Sequence, residues 1–128
     1  MNGRPQKAKI LLALAALGSG TFRLDGGRLD RALRHMGDDL PDGLRGELTF
    51  GCGSVGLRCY ELPEILNMAY YMLMADHGPR GDHNILHSKL QEDDAREIAA
   101  QYGSTISEFT RMAVKLSELN LWPSDPDP

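Results

Sequence analysis

Two sets of side chains have the types and the spacing to do chemistry. The first is Cys52 and Cys59 together with His83 and His87. Thiolate sulfur and imidazole nitrogen hold zinc, and a His-x3-His step is a familiar ligand spacing. The Cys-x6-Cys step is wider than the usual gap, so the set reads instead as a buried Cys59, a turn Cys52 and surface histidines, with no metal and no cofactor. The second set is Thr105, Ser107, Thr110, Arg111 and Lys115. Hydroxyls beside a guanidinium and an ammonium suit phosphate oxygens and base edges of DNA. A companion group, Arg28, Arg31 and Arg34 with His35, recurs at three- to four-residue spacing and forms a basic stripe. That stripe is either an anion contact or a solvated face balanced by Asp25 and Asp30. No nucleophile constellation, no zinc-protease signature and no phosphate loop is present, so no residue is given a catalytic role and the chain is expected to be non-enzymatic.

The elements that must position these groups are mostly helical. Gln6–Leu17 places Ile10, Leu14 and Leu17 on one face, and Gly18-Ser19-Gly20 ends that helix. Thr21–Leu24 is a short extended piece. Gly27–Met36 is a second helix with Leu29, Leu33 and Met36 inward. Leu48 and Phe50 on one arm, with Val55, Leu57 and Cys59 on the other, predict a hairpin within about residues 47–60, turning at Gly51-Cys52-Gly53-Ser54. Leu62-Pro63-Glu64 starts a third helix that runs to about Asp76. Its Met and Tyr residues are read as core, which would make it the most buried helix. His77–Asn84 is read as the main loop and a possible sub-boundary, and Ile85–Leu90 as either extended or a helical lead-in. Glu92–Tyr102 and Ile106–Leu119 complete a helical hairpin around Gly103-Ser104-Thr105. The expectation is a mainly α fold of about five helices with one small β-hairpin, a single domain over 1–122, and a loose acidic tail at 123–128.

Composition narrows the partners. The 128 residues carry a net charge of −4 and are 41% hydrophobic, which allows a packed core. Residues 1–50 hold eight Lys/Arg against six Asp/Glu, and residues 51–128 hold six against twelve. An acidic chain has no bulk attraction to nucleic acid, so DNA contact would need a local patch. No apolar run is long enough to span a membrane. The apolar Ile10–Leu17 follows Arg4, Lys7 and Lys9 in the manner of a signal peptide, but it is read as a core helix, and the expected location is cytoplasmic.

Residues 97–112, EIAAQYGSTISEFTRM, resemble the helix-turn-helix pattern of bacterial repressors. Ala99 falls at the helix crossing, Gly103 in the turn where positive φ is tolerated, and Phe109 and Met112 toward the core; Ser104 replaces the usual aliphatic residue. Residues 103–114 also resemble the ribbon-helix-helix family, with Ile85–Leu90 as the preceding strand, His87 and Lys89 toward the bases, and Thr105 with Glu108 as a capping box. The N-terminal order of helix, strand, helix, loop and hairpin is similar to a winged helix, with the 47–60 hairpin as wing and Pro41–Gly46 in the place of the reading helix. These resemblances imply a small DNA-binding transcriptional regulator of bacterial type, a homodimer, contacting DNA through Thr105, Ser107, Thr110, Arg111 and Lys115. The rival class is a protein-interaction module (an antitoxin, inhibitor or assembly factor) presenting an acidic surface and Leu121-Trp122.

Overall fold

A computed structural model describes residues 4–53, 56–78, 82–103 and 105–121. Five helices, α1 (Arg4–Leu17), α2 (Arg28–Met36), α3 (Leu62–Tyr71), α4 (Glu92–Tyr102) and α5 (Ile106–Asn120), carry most of the described chain. Two antiparallel sheets accompany them. One pairs β2 (Phe50–Gly53) with β3 (Gly56–Cys59); the other has the order β1-β5-β4 and contains β1 (Thr21–Arg23), β4 (Ala75–Gly78) and β5 (Asp82–Ser88). Helix predominates among the described residues, so the mainly α expectation holds, with more strand than one hairpin.

The core is built around α1. Its central run Ile10–Ala15 is 0–2% exposed. Helices α3, α4 and α5 and strands β1 and β5 all pack on it. An Ala/Leu/Ile helix with no polar face must be covered on every side. This corrects the expectation that α3 would be the most buried helix. α3 hides only Leu62, Ile65 and Ala69, and it stops at Tyr71 rather than near Asp76. It ends there because the chain turns through Met72 and Leu73, whose φ of 60 is incompatible with a right-handed helix.

The β2–β3 hairpin forms within the expected residues, but Gly51-Cys52-Gly53, read as its turn, belong to β2, and Ser54 and Val55 lie outside the described residues. Phe50 faces Cys59 and Cys52 faces Leu57. The stretch His77–Asn84, expected as a loop, is strand at both of its described ends. His77 and Gly78 lie in β4, and Asp82 opens β5, which also pairs with β1: Phe22 faces Leu86, both fully buried. The outer edge of β1 is closed by a side chain, since Asn120 accepts from Arg23 N (2.6 Å) and donates to Arg23 O (3.0 Å). An edge strand thereby gains an amide partner from α5. Residues 41–47 run through turns and supply no reading helix for a wing at 47–60.

Two close approaches hold the helices in place. A Cβ on Gly18 would lie 2.3 Å from the Ser117 hydroxyl and 2.9 Å from the Ala113 carbonyl oxygen, so α5 meets the end of α1 only because that residue is glycine. Gly103 has φ −107, so the α4–α5 turn does not use the positive φ that a glycine tolerates. Its glycine is needed for space: a Cβ there would lie 3.0 Å from the Ala99 carbonyl oxygen and 3.0 Å from Phe109 Cβ.

Candidate interaction surfaces

The α4–α5 hairpin is well capped. The Thr105 side chain accepts from Glu108 N at 3.0 Å, which satisfies one of the free donors at the start of α5. Phe109, Ala113 and Leu116 are buried, and Ala99 sits fully buried where α4 packs on α1. The five expected nucleic-acid residues are not equally available. Thr105, Ser107, Arg111 and Lys115 are exposed. Thr110 is half-buried, and its hydroxyl donates to Ile106 O at 2.8 Å, so its proton is already used within the helix. Lys115 is paired with Asp39 at 2.8 Å. Arg111 makes no ion pair among the described residues. The exposed row that holds Ser107 and Arg111 continues through Val114 to Glu118, so its charge changes sign along the helix. Ser104 lies outside the described residues.

The α2 stripe is balanced locally. Arg28 pairs with Asp25 at 3.5 Å, Arg23 pairs with the same carboxylate at 3.2 Å, and Arg31 donates to Gly26 O at 2.7 Å. Burial alone would raise the Asp25 carboxyl, but the Arg23 hydrogen bond and the charges of Arg23 and Arg28 hold it below its ordinary value. Arg34 alone of the three stands exposed without an ion pair among the described residues. Asp30, expected to balance the stripe, points inward instead. It is 6% exposed and its carboxylate accepts Cys59 N at 2.7 Å, which ties α2 to β3.

The cysteine and histidine set is divided between two sheets. Cys52 and Cys59 share a face of the β2–β3 hairpin, one exposed and one buried. Burial pushes the Cys59 thiol up to about 11, with the Glu61 and Asp30 charges adding to the rise. His87 is an exposed residue of β5; the side chain of His83 lies outside those described. Among the described residues no three His, Cys, Asp or Glu gather as a metal-binding group.

The surface that sequence reasoning missed belongs to α3. Tyr60, Pro63, Asn67 and Tyr71 follow one another at three- and four-residue steps and are all exposed. Tyr71 is 83% exposed, Leu73 77% and Tyr60 63%, the three highest values among the described large apolar side chains, matched at the low end among them by Leu121. Leu73 is also the one non-glycine residue with positive φ among those described. Behind this stripe the Tyr70 ring stands 4.7 Å from the His77 ring and so braces α3 against β4. The signal was present in the sequence as a 60-63-67-71 spacing, but Tyr and Met serve cores and contact surfaces alike. Among the described residues no helix is long and apolar enough to cross a membrane. No family model, no curated protein and no solved structure matches the chain.

Proposed function

We propose that the chain is a non-enzymatic protein-interaction module that receives its partner on the outer stripe of α3 and the turn that follows it. The observation that carries this reading is the exposure of Tyr60, Tyr71 and Leu73 on consecutive elements, with Leu73 held in a left-handed conformation. Aromatic side chains give large contact area for little lost rotamer freedom, and they are enriched where proteins bind proteins. Left-handed backbone costs a branched side chain about 1–3 kcal/mol, and such strain persists mainly where it serves a site. The stripe carries Glu64 and no cation on α3, which suits a protein partner better than a phosphate backbone.

DNA binding is the second reading, and the connectivity favours it. The order α1-β1-α2-α3-β4-β5 with sheet order β1-β5-β4 is similar to a winged helix in which β4–β5 is the wing and β2–β3 is an insertion. Exposed Arg111 with Thr105 and Ser107 is the contact set for the helix-turn-helix version. Fold alone does not carry function, and the pairing of Lys115 with Asp39 and of Arg28 with Asp25 subtracts from the local positive field that an acidic chain would need.

Capture from extracts of the native host separates the readings. Tagged wild-type chain is expected to retain a defined protein partner that Tyr71→Glu and Leu73→Asp both lose, while their melting temperatures stay near wild type. Light scattering then distinguishes a second copy of the chain, the expected homodimer, from a different protein. Retention of the same proteins by both variants, together with salt-dependent retention of genomic DNA fragments at low salt that Arg111→Ala abolishes, overturns the protein reading in favour of DNA.

A further inference from the structure

A pocket of about 310 Å3 lies between α2, β3 and the start of α3. Its volume is in the range that holds a small organic molecule. Leu24, Leu62 and Leu66 give it apolar walls, and Tyr60 stands on its rim. Two charged residues also line it, and they have opposite signs: Asp30 and Arg58.

Asp30 is 6% exposed, and its carboxylate takes one backbone N–H, from Cys59 at 2.7 Å. A carboxylate held in apolar surroundings gains from a cationic donor that approaches it from the cavity. Arg58 precedes Cys59 on β3, is exposed, and makes no ion pair among the described residues. Glu61, the next carboxylate along the chain, is occupied: its oxygens accept Thr49 N at 2.7 Å and the Thr49 hydroxyl at 2.5 Å. A lone cation in this pocket meets repulsion from Arg58, and a lone anion meets repulsion from Asp30. A molecule that carries both charged groups on one carbon, with an apolar body, satisfies all three walls together.

We propose that this pocket binds an α-amino acid with an apolar side chain. The ammonium meets Asp30, the carboxylate meets the flexible guanidinium of Arg58, and the side chain lies against Leu24, Leu62 and Leu66. The pocket shares Tyr60 and Pro63 with the stripe that receives the partner, but the ligand is of a different class, and titration of the isolated chain tests it with no partner present.

Calorimetric titration of the full chain tests it with four probes: leucine, phenylalanine, phenethylamine, which lacks the carboxylate, and 3-phenylpropionate, which lacks the ammonium. At least one amino acid is expected to saturate a single site, with each truncated analogue at least about tenfold weaker. Arg58→Gln is expected to weaken the amino acid at least about tenfold and to bring it level with phenethylamine. Asp30→Asn removes the opposite preference; since Asp30 also supports Cys59 N, Leu66→Trp serves as an independent variant that fills the pocket, with thermal melts reporting that the fold is kept. The proposal is overturned by no saturation at millimolar amino acid, by equal binding of amino acid and truncated analogues, or by wild-type affinity in Arg58→Gln and Leu66→Trp.

Discussion

Tyr70 carries a hydroxyl that is buried with no hydrogen-bond partner among the described residues. Burial, and the nearby Asp76 charge, raise its pKa above the ordinary 10.0, so it is a neutral phenol throughout the physiological range. A buried donor without a partner costs about 1–3 kcal/mol, so its removal relieves a penalty. Tyr70→Phe is therefore expected to be neutral or to raise stability by up to about 1 kcal/mol, read from urea denaturation. A clear loss of stability would show that the hydroxyl is satisfied in solution, by water or by rearrangement. Leu73 carries the complementary conflict, with φ 60 and a side chain that is 77% exposed. Glycine adopts that backbone without strain. Leu73→Gly is expected to hold or raise the melting temperature while weakening partner capture. If it lowers both, Leu73 packs usefully within the monomer and its strain is not kept for a contact.

The β2–β3 hairpin is fastened by a carboxylate as well as by its ladder. Burial alone would raise the Glu61 carboxyl, but its two bonds from Thr49, with its own backbone bond, hold it below the ordinary 4.5. A depressed folded value means that the stabilisation is present above the unfolded pKa and is lost as pH falls through the folded one. Wild type is therefore expected to lose stability below about pH 4.5 more steeply than Glu61→Gln, with Thr49→Ala, which keeps the backbone N–H bond to Glu61, falling between them. Identical acid limbs for all three in calorimetric melts would remove Glu61 from the account. The same scale explains what could be read from the residues beforehand. Helices α4 and α5 were legible to within a residue because Thr105 caps one and Gly103 ends the other. Strand β1 was legible as an extended piece, but its partner β5 lies some sixty residues away in a polar, glycine- and proline-containing stretch with no alternation, so the three-stranded sheet was not. Of the two carboxylates expected to balance the arginine stripe, Asp25 does pair with Arg28. Asp30 sits one helical position from that stripe, and only the placement of Cys59 N decides that it turns inward. The end of α3 at Leu73 has no sequence signature, since neither glycine nor asparagine marks the left-handed turn.

At the scale of the molecule, α1 touches α3, α4 and α5 and two strands of the three-stranded sheet. Ser88, in β5, donates its hydroxyl to the Leu12 carbonyl at 2.9 Å in the buried interior. Asn120 on α5 holds the backbone of Arg23, and Ser117 crowds Gly18. Contacts of this reach predict that the described chain unfolds as one unit. The two cysteines supply the test. Cys52 is exposed and should react with a thiol reagent at once. Cys59 is 2% exposed with its thiol pushed up to about 11, so it has little thiolate and no access in the folded state. In a urea series, Cys59 labelling should rise with the loss of helical circular dichroism, over one transition. Leu12→Ala, at a fully buried position of α1, should move both signals together to lower urea, by the equivalent of about 2–5 kcal/mol. Should Cys59 become reactive while the helical signal is intact, the β2–β3 hairpin opens separately from the α1-centred core. The pocket floor at Leu62 and the α3 stripe would then belong to a unit that moves against the rest, and their exposure would have to be explained by that motion and not by a waiting partner.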